Sequence, residues 1–222
     1  ISCGRHPVDR KADSCRHQKS LVEHHPAGCA VGQLCGEVLC SPYKSGYFSS
    51  AKLFGLFLVI FSMLSQEVEL TMLDGSKRST SDFKGQLVMV VNVASRCGLS
   101  PQYEALEALQ KKYSSRGFTV LGVPSSSFKQ ELKNEEAISE YCSTTWGVTF
   151  PMTAKAEVNG LKRHPMYKQL VKAKDGKGLA GPVMWNFEKF LILPSGEIKR
   201  FRPTTKPDDP EIIAAIEANL PK

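Results

Sequence analysis

Two stretches of this chain are apolar at nearly every position, residues 87–93 (LVMVVNV) and 118–123, and between them residues 101–113 carry apolar side chains at helical spacing. A strand that is apolar on both sides must be covered on both sides, so it belongs in the interior of a sheet. Two such strands joined through a helix make a right-handed βαβ unit with the strands parallel.

The remaining segments extend that unit. Residues 68–73 run into Asp74-Gly75, a strong hairpin signal. Asn134 heads a helical segment, 134–142, with Glu135 and Glu136 in a first turn where negative charge opposes the helix dipole. Residues 165–173 read as a short helix with proline in its first turn, and a loop holding Gly176, Gly178 and Gly181 then leads to Trp185. Residues 187–193 and 198–201 flank Pro194-Ser195-Gly196 as an antiparallel hairpin, and 210–220 closes the chain with an amphipathic helix. The order βαβ, helix, ββα is the outline of an α/β chain with a thioredoxin-like fold, a central mixed sheet with helices on both faces.

With 222 residues there is room for one core and a tail. The tail is at the front. Five of the seven cysteines (Cys3, Cys15, Cys29, Cys35, Cys40) and four of the five histidines lie in the first 40 residues, yet no Cys-x-x-Cys pair or paired Cys/His pattern accompanies them. Residues 1–65 are therefore expected to be a leader or a poorly ordered extension outside the folded domain, 66–222, and no metal site is expected in them. Within them, residues 53–64 (LFGLFLVIFSML) are too short for a bilayer span of roughly 18 residues and suit the apolar part of a secretory signal, without a clean small-x-small cleavage pattern. A secretory, periplasmic or organellar location follows if that segment acts as a signal, and a cytoplasmic one otherwise. The net charge of +7 is spread as isolated basic pairs and not as runs, so nucleic acid is not an expected partner.

Cys97 falls between a buried strand and the first turn of the following helix, where free N–H groups and the helix dipole favour an anion. A thiol with an ordinary pKa of about 8.5 becomes a better nucleophile in such a place, and Arg96 is adjacent. The alternative for a lone cysteine is an inert core residue. A thioredoxin-type disulfide exchanger would need its second sulfur where Ser100 stands.

The segment Asn92-Val-Ala-Ser-Arg-Cys97-Gly-Leu-Ser-Pro-Gln-Tyr103 closely resembles the active-site segment of the glutathione peroxidase family. The resemblance continues through residues 117–124, 147–152 and 185–191 in the family's order, and so covers 66–222. It implies a thiol peroxidase acting on hydrogen peroxide and organic or lipid hydroperoxides, with Cys97 as peroxidatic residue and Trp185 and Asn186 as neutral donors beside it. The family's glutamine position is held by Ser127, in a loop one residue shorter before Gln130-Glu131. Loss of that amide's hydrogen bond would cost on the order of 1 kcal/mol, about tenfold in rate, unless Gln130 or Lys129 substitutes.

Cys142 stands in a segment that resembles the resolving-cysteine segment of the thioredoxin-dependent members. The resemblance therefore implies a sulfenic acid on Cys97, an intramolecular disulfide with Cys142 and a rearrangement on oxidation. It implies no metal or organic cofactor, with thioredoxin or glutathione as reducing co-substrate. The short connector over 165–183 resembles that of compact members, which implies a monomer. His164, ahead of Pro165, is expected at an exposed helix start and outside the chemistry. A peroxide sensor or a degenerate binding protein with weak turnover is the competing reading.

Overall fold

A computed structural model of the chain describes residues 67–222. The cysteine-rich front and the apolar segment 53–64, on which the leader and signal expectations fall, lie outside the described residues.

The opening hairpin forms as its Asp-Gly turn requires: β1 (Glu69–Thr71) pairs antiparallel with β2 (Lys77–Ser79). The main sheet has four strands, β3 (Leu87–Val93), β4 (Phe118–Pro124), β5 (Lys189–Ile192) and β6 (Ile198–Phe201), in the spatial order β4-β3-β5-β6. β3 and β4 run parallel, and β5 lies antiparallel to both β3 and β6. All seven residues of β3 and of β4 are buried, as strands apolar at nearly every position must be.

The helices are α1 (Gln102–Tyr113), α2 (Glu135–Trp146), α3 (Pro165–Leu170) and α4 (Pro210–Asn219). Alternation along the strands divides the core in two. Leu87, Met89, Val91 and Val93 of β3 pack with Tyr103 and Leu106 of α1, Ile138 and Cys142 of α2, and Ile212 and Ile216 of α4. Val88 and Val90 point the other way and pack with Met166, Tyr167 and Leu170 of α3 and with Leu70 of the hairpin. Each of these aliphatic side chains contributes roughly 1.5–3 kcal/mol through burial, which holds helices on both faces of the sheet.

The helix ends follow local chemistry. Asn134 Oδ1 accepts the Ala137 N–H and starts α2. The helix runs past Cys142 to Trp146 and ends only where Gly147 takes a left-handed conformation, φ +61°. α3 ends at Leu170, three residues before the expected limit. Its start corrects another expectation: His164 is half-buried, and its Nδ1 accepts the Met166 N–H at 3.3 Å as a helix cap. Burial lowers its pKa from the usual histidine value.

This topology gathers three loops at one edge of the sheet. The loops after parallel strands β3 and β4 leave from the carboxyl ends, and the segment entering antiparallel β5 arrives at the same edge.

Candidate active site

Cys97 lies in the first of these loops, 4% exposed, at the mouth of α1. Its Sγ accepts the Leu99 N–H at 3.4 Å, so a backbone donor already faces the sulfur as the strand-to-helix position leads one to expect. The Ser100 N–H bonds to the Cys97 carbonyl at 2.9 Å and tightens the turn into the helix.

The second loop, after β4, brings Gln130. Its carbonyl accepts the Arg96 N–H at 2.9 Å, which staples it to the residue before Cys97. Its side-chain Oε1 accepts Asn186 Nδ2 at 2.8 Å. Gln130 thus joins the Cys97 loop to the third segment. Ser127, at the expected glutamine position, is occupied elsewhere: its hydroxyl donates to Glu157 Oε2 at 2.5 Å and accepts the Val158 N–H at 3.0 Å. Lys129 is exposed and takes a left-handed turn, φ +57°, which spans the shortened loop and swings Gln130 inward.

The third segment is held by Asn92, the one polar residue of β3. Its Nδ2 donates to the Trp185 carbonyl at 2.9 Å, its Oδ1 accepts the Glu188 N–H at 3.1 Å, and its carbonyl accepts the Phe187 N–H at 2.6 Å. Phe187 has φ +64°, a costly conformation for a bulky residue that persists only where the surroundings over-determine it. The turn buries Asn186 completely and leaves Trp185 42% exposed, with its ring tilted against Phe128 at 4.9 Å between centroids. Asn186 Oδ1 is buried with no hydrogen-bond partner. Among the described residues, no side-chain amide or indole donates to the Cys97 sulfur in this reduced state; the Asn186 amide donates to Gln130.

Cys142 sits in α2, 2% exposed, in the same core cluster as Cys97, and both sulfurs are free thiols. Burial is the main cause that pushes the Cys142 thiol up to about 11, with the negative charge of Glu131 adding to it and the Tyr103 hydroxyl opposing. On its outer side Cys142 borders a cleft of about 290 Å³ between the hairpin and α2, lined also by Met72, Asp74, Arg78, Ser139 and Phe150. No described group of three or more His, Cys, Asp or Glu side chains is placed to hold a metal ion.

Comparison with known proteins places this arrangement. The family model for glutathione peroxidase matches residues 65–171. The chain is 44% identical over 171 residues to the thioredoxin/glutathione peroxidase BtuE of Escherichia coli, across 68% of this chain and 93% of that protein. The chain belongs to the glutathione peroxidase family. It is also 44% identical over 155 residues to the hydroperoxy fatty acid reductase gpx1 of Synechocystis, across 67% of this chain and 90% of that one. The crystal structure of Trgpx in apo form superposes with a TM-score of 0.53 at 37% identity, covering 72% of this chain and 99% of its own. The fold is thioredoxin-like, and the chain is a peroxidase, an oxidoreductase that acts on peroxide through a thiol.

Sequence reasoning about this glutathione peroxidase singled out Cys97, Cys142, Trp185 and Asn186 and named Gln130 only as a substitute. It missed Asn92, although a lone amide inside an otherwise apolar strand was a readable signal, because a buried polar side chain has to find partners.

Proposed function

We propose that residues 66–222 form a monomeric two-cysteine peroxidase in which Cys97 attacks the peroxide, Cys142 resolves the product, and a thioredoxin-like dithiol restores both thiols. The observation that supports it most is the chain of contacts from the Cys97 loop through Gln130 to Asn186, which sets amide groups at the mouth of α1 although the usual glutamine is absent.

In the first step the Cys97 thiolate attacks the near oxygen of the hydroperoxide. The O–O bond breaks, the sulfur becomes a sulfenic acid, and the departing alkoxide takes up a proton to leave as water or an alcohol. The unpaired Asn186 Oδ1 is an acceptor for the hydroperoxide O–H. The amide groups of Gln130 and Asn186 and the Trp185 indole N–H supply neutral donors for the departing oxygen, a role in which preorganisation matters more than acidity. Ser127 has no part in this reading, since Glu157 and Val158 consume its hydroxyl.

Two features favour apolar hydroperoxides and a protein reductant. Trp185 and Met184, 42% and 65% exposed, put apolar surface beside a shallow site, which suits an acyl chain. One relative's name speaks of thioredoxin and glutathione together and another's of hydroperoxy fatty acids, the latter in keeping with this substrate class. Reduction of the disulfide needs no metal or organic cofactor.

The test is peroxide consumption by the full chain with thioredoxin and its reductase in one arm and glutathione in the other, each with hydrogen peroxide and with a fatty-acid hydroperoxide. Turnover in the thioredoxin arm at least tenfold above the glutathione arm is expected. Equal turnover in both arms would remove the dithiol reductant, and absence of a Cys97–Cys142 linked peptide after oxidation would remove Cys142 from the cycle.

A further inference from the structure

The large apolar side chains that this protein exposes are not scattered. Among the described residues four stand exposed, Leu161, Leu179, Met184 and Trp185, and all four lie on two loops, 159–163 and 178–185. Asn159 fastens these loops together: its Nδ2 donates to the Val183 carbonyl at 2.8 Å, and its Oδ1 accepts the Val183 N–H at 3.0 Å. The Arg163 N–H bonds to the Gly160 carbonyl at 3.3 Å and closes a turn with Leu161 and Lys162 at its tip, where Leu161 is fully exposed. A single exposed leucine needs no explanation, but four large apolar side chains on one pair of joined loops mark a contact surface.

This surface adjoins the Cys97 edge of the sheet. In the loop after β4, Ser127 holds Glu157 and the Val158 N–H, and Phe128 beside it carries the Trp185 ring. Loop 159–163 therefore continues the rim that surrounds the mouth of α1. Arg96, Lys129 and Lys162 are exposed along this rim, and the half-buried Arg163 donates from Nε to the Val158 carbonyl at 3.1 Å. Among the described residues none of these four cations is in an ion pair. Of the acids close to them in the chain, Glu157 holds the Ser127 hydroxyl, and Asp175, ahead of Leu179, is paired with Arg202 at 2.7 Å. The apolar surface is thus edged by uncompensated positive charge.

We propose that this face docks on the surface of an anionic lipid bilayer, with Leu161, Met184 and the exposed part of Trp185 entering the interface and Arg96, Lys129 and Lys162 meeting the lipid phosphates. The inference rests on the reading of apolar hydroperoxides as substrates and names their source, acyl chains still held in a bilayer. Basic side chains near such a surface are drawn to its negative potential, and an indole settles at the level of the headgroups. None of the described helices is long and apolar enough to cross a membrane, so the contact is adsorption. Adsorption through three side chains and a few charges is shallow and released by salt. It would set the mouth of α1 against the headgroup level, where an oxidised acyl chain can present its polar hydroperoxide.

The test uses the full chain and vesicles of phosphatidylcholine, alone or with about a third phosphatidylglycerol, whose acyl chains carry bromine and quench an indole that enters them. Trp146→Phe leaves Trp185 as the one indole of the sequence. Its emission is expected to shift to the blue and fall at least twofold on the anionic vesicles only, and added salt should reverse the change. Leu161→Asp removes the apolar tip and adds a negative charge at a fully exposed position. It should weaken sedimentation with the anionic vesicles at least tenfold, while turnover of hydrogen peroxide stays within twofold of wild type. A chain that sediments with its Trp185 emission unchanged is held by another segment, which overturns the proposal. So does a chain that does not sediment, or a Leu161→Asp variant that binds within threefold of wild type. Slower thioredoxin-dependent turnover in Leu161→Asp with vesicle binding intact would assign the face to the protein reductant and overturn the lipid contact. Docking as expected, but without faster turnover of a fatty-acid hydroperoxide than of hydrogen peroxide, supports the docking face and overturns only the substrate reading.

Discussion

Asn92 spends its carbonyl and both ends of its side chain on three backbone groups of the single turn Trp185–Glu188, and Asn186 is aimed inward as a result. Gln130 then receives the Asn186 amide. The two residues show why the site was only partly legible in the sequence. Cys97 and Asn186 could be placed because their motifs are contiguous, whereas the glutamine position is defined by loop length, and with the left-handed turn at Lys129 it is Gln130, three residues past Ser127, that meets Asn186. Spacing along the chain carries no record of such a turn, which is a matter of backbone dihedrals. Gln130→Ala is expected to slow the reaction of Cys97 with hydrogen peroxide about tenfold, the loss of one directed hydrogen bond of roughly 1 kcal/mol, with Ser127→Ala staying within threefold of wild type. Stopped-flow rates of Cys97 oxidation check this. A larger loss in Ser127→Ala than in Gln130→Ala would restore the serine to the site.

At the scale of elements, α2 carries Cys142, the proposed resolving thiol, on a weak support. Ser143 and Thr144 follow Cys142, and their hydroxyls bond back to the Ser139 and Glu140 carbonyls, the interaction by which such residues loosen a helix. No basic side chain occupies the last turn to offset the dipole. A disulfide needs Cα atoms within about 7 Å, and a helix that opens from Cys142 toward Gly147 supplies the freedom to reach that geometry. Thr144→Ala with Thr145→Ala should strengthen the helix by about 1 kcal/mol in total and slow Cys97–Cys142 disulfide formation several-fold, with sulfenic-acid formation unaffected. Time-resolved mass mapping reads both steps, and an unchanged disulfide rate would show that α2 need not open. The helix itself was legible from its capping asparagine and apolar spacing. Its extension to Trp146 was not, because Ser-Thr-Thr has low helix propensity, and the burial of Ile138 and Cys142 with the Gly147 cap overrides it.

Across the described residues, charges that composition showed only as a dispersed excess prove to be structural. Arg200, fully enclosed with Glu188, bonds it at 2.6 Å and donates to the Ala173, Gly181 and Pro182 carbonyls, which fastens the glycine-rich loop that delivers Trp185. Lys189 is also fully buried and donates to the Pro203 and Thr205 carbonyls. The βαβ-then-ββα order could be read from apolar periodicity, but these charges sit in strands whose sequence pattern gives no sign of their partners, which lie in loops far along the chain. Burial lowers the Lys189 pKa from 10.5 to about 7, with Glu188 opposing. The unfolded chain therefore binds a proton between about pH 7 and 10.5 that the folded chain does not, so this residue makes stability rise with pH across that window. Cys142 acts oppositely: its folded pKa is raised from 9 to about 11, so stability falls as pH rises between them. Urea unfolding from pH 6 to 11 should show stability climbing above pH 7, levelling off above pH 9 where the two contributions cancel, and falling above about pH 10.5, and Lys189→Met should flatten the climb. A wild-type profile flat from pH 7 to 9 would contradict the buried, uncharged lysine.

The central claim is that the sulfur at the mouth of α1 is the one that meets peroxide. Full-length Cys142→Ser, treated with one equivalent of hydrogen peroxide in the presence of a sulfenic-acid-specific dione and mapped by mass spectrometry, tests it most directly. The account predicts a dione adduct on Cys97 within the first turnover and none in the double variant Cys97→Ser, Cys142→Ser. Peroxide consumption at the wild-type single-turnover rate with Cys97 left unmodified would contradict it.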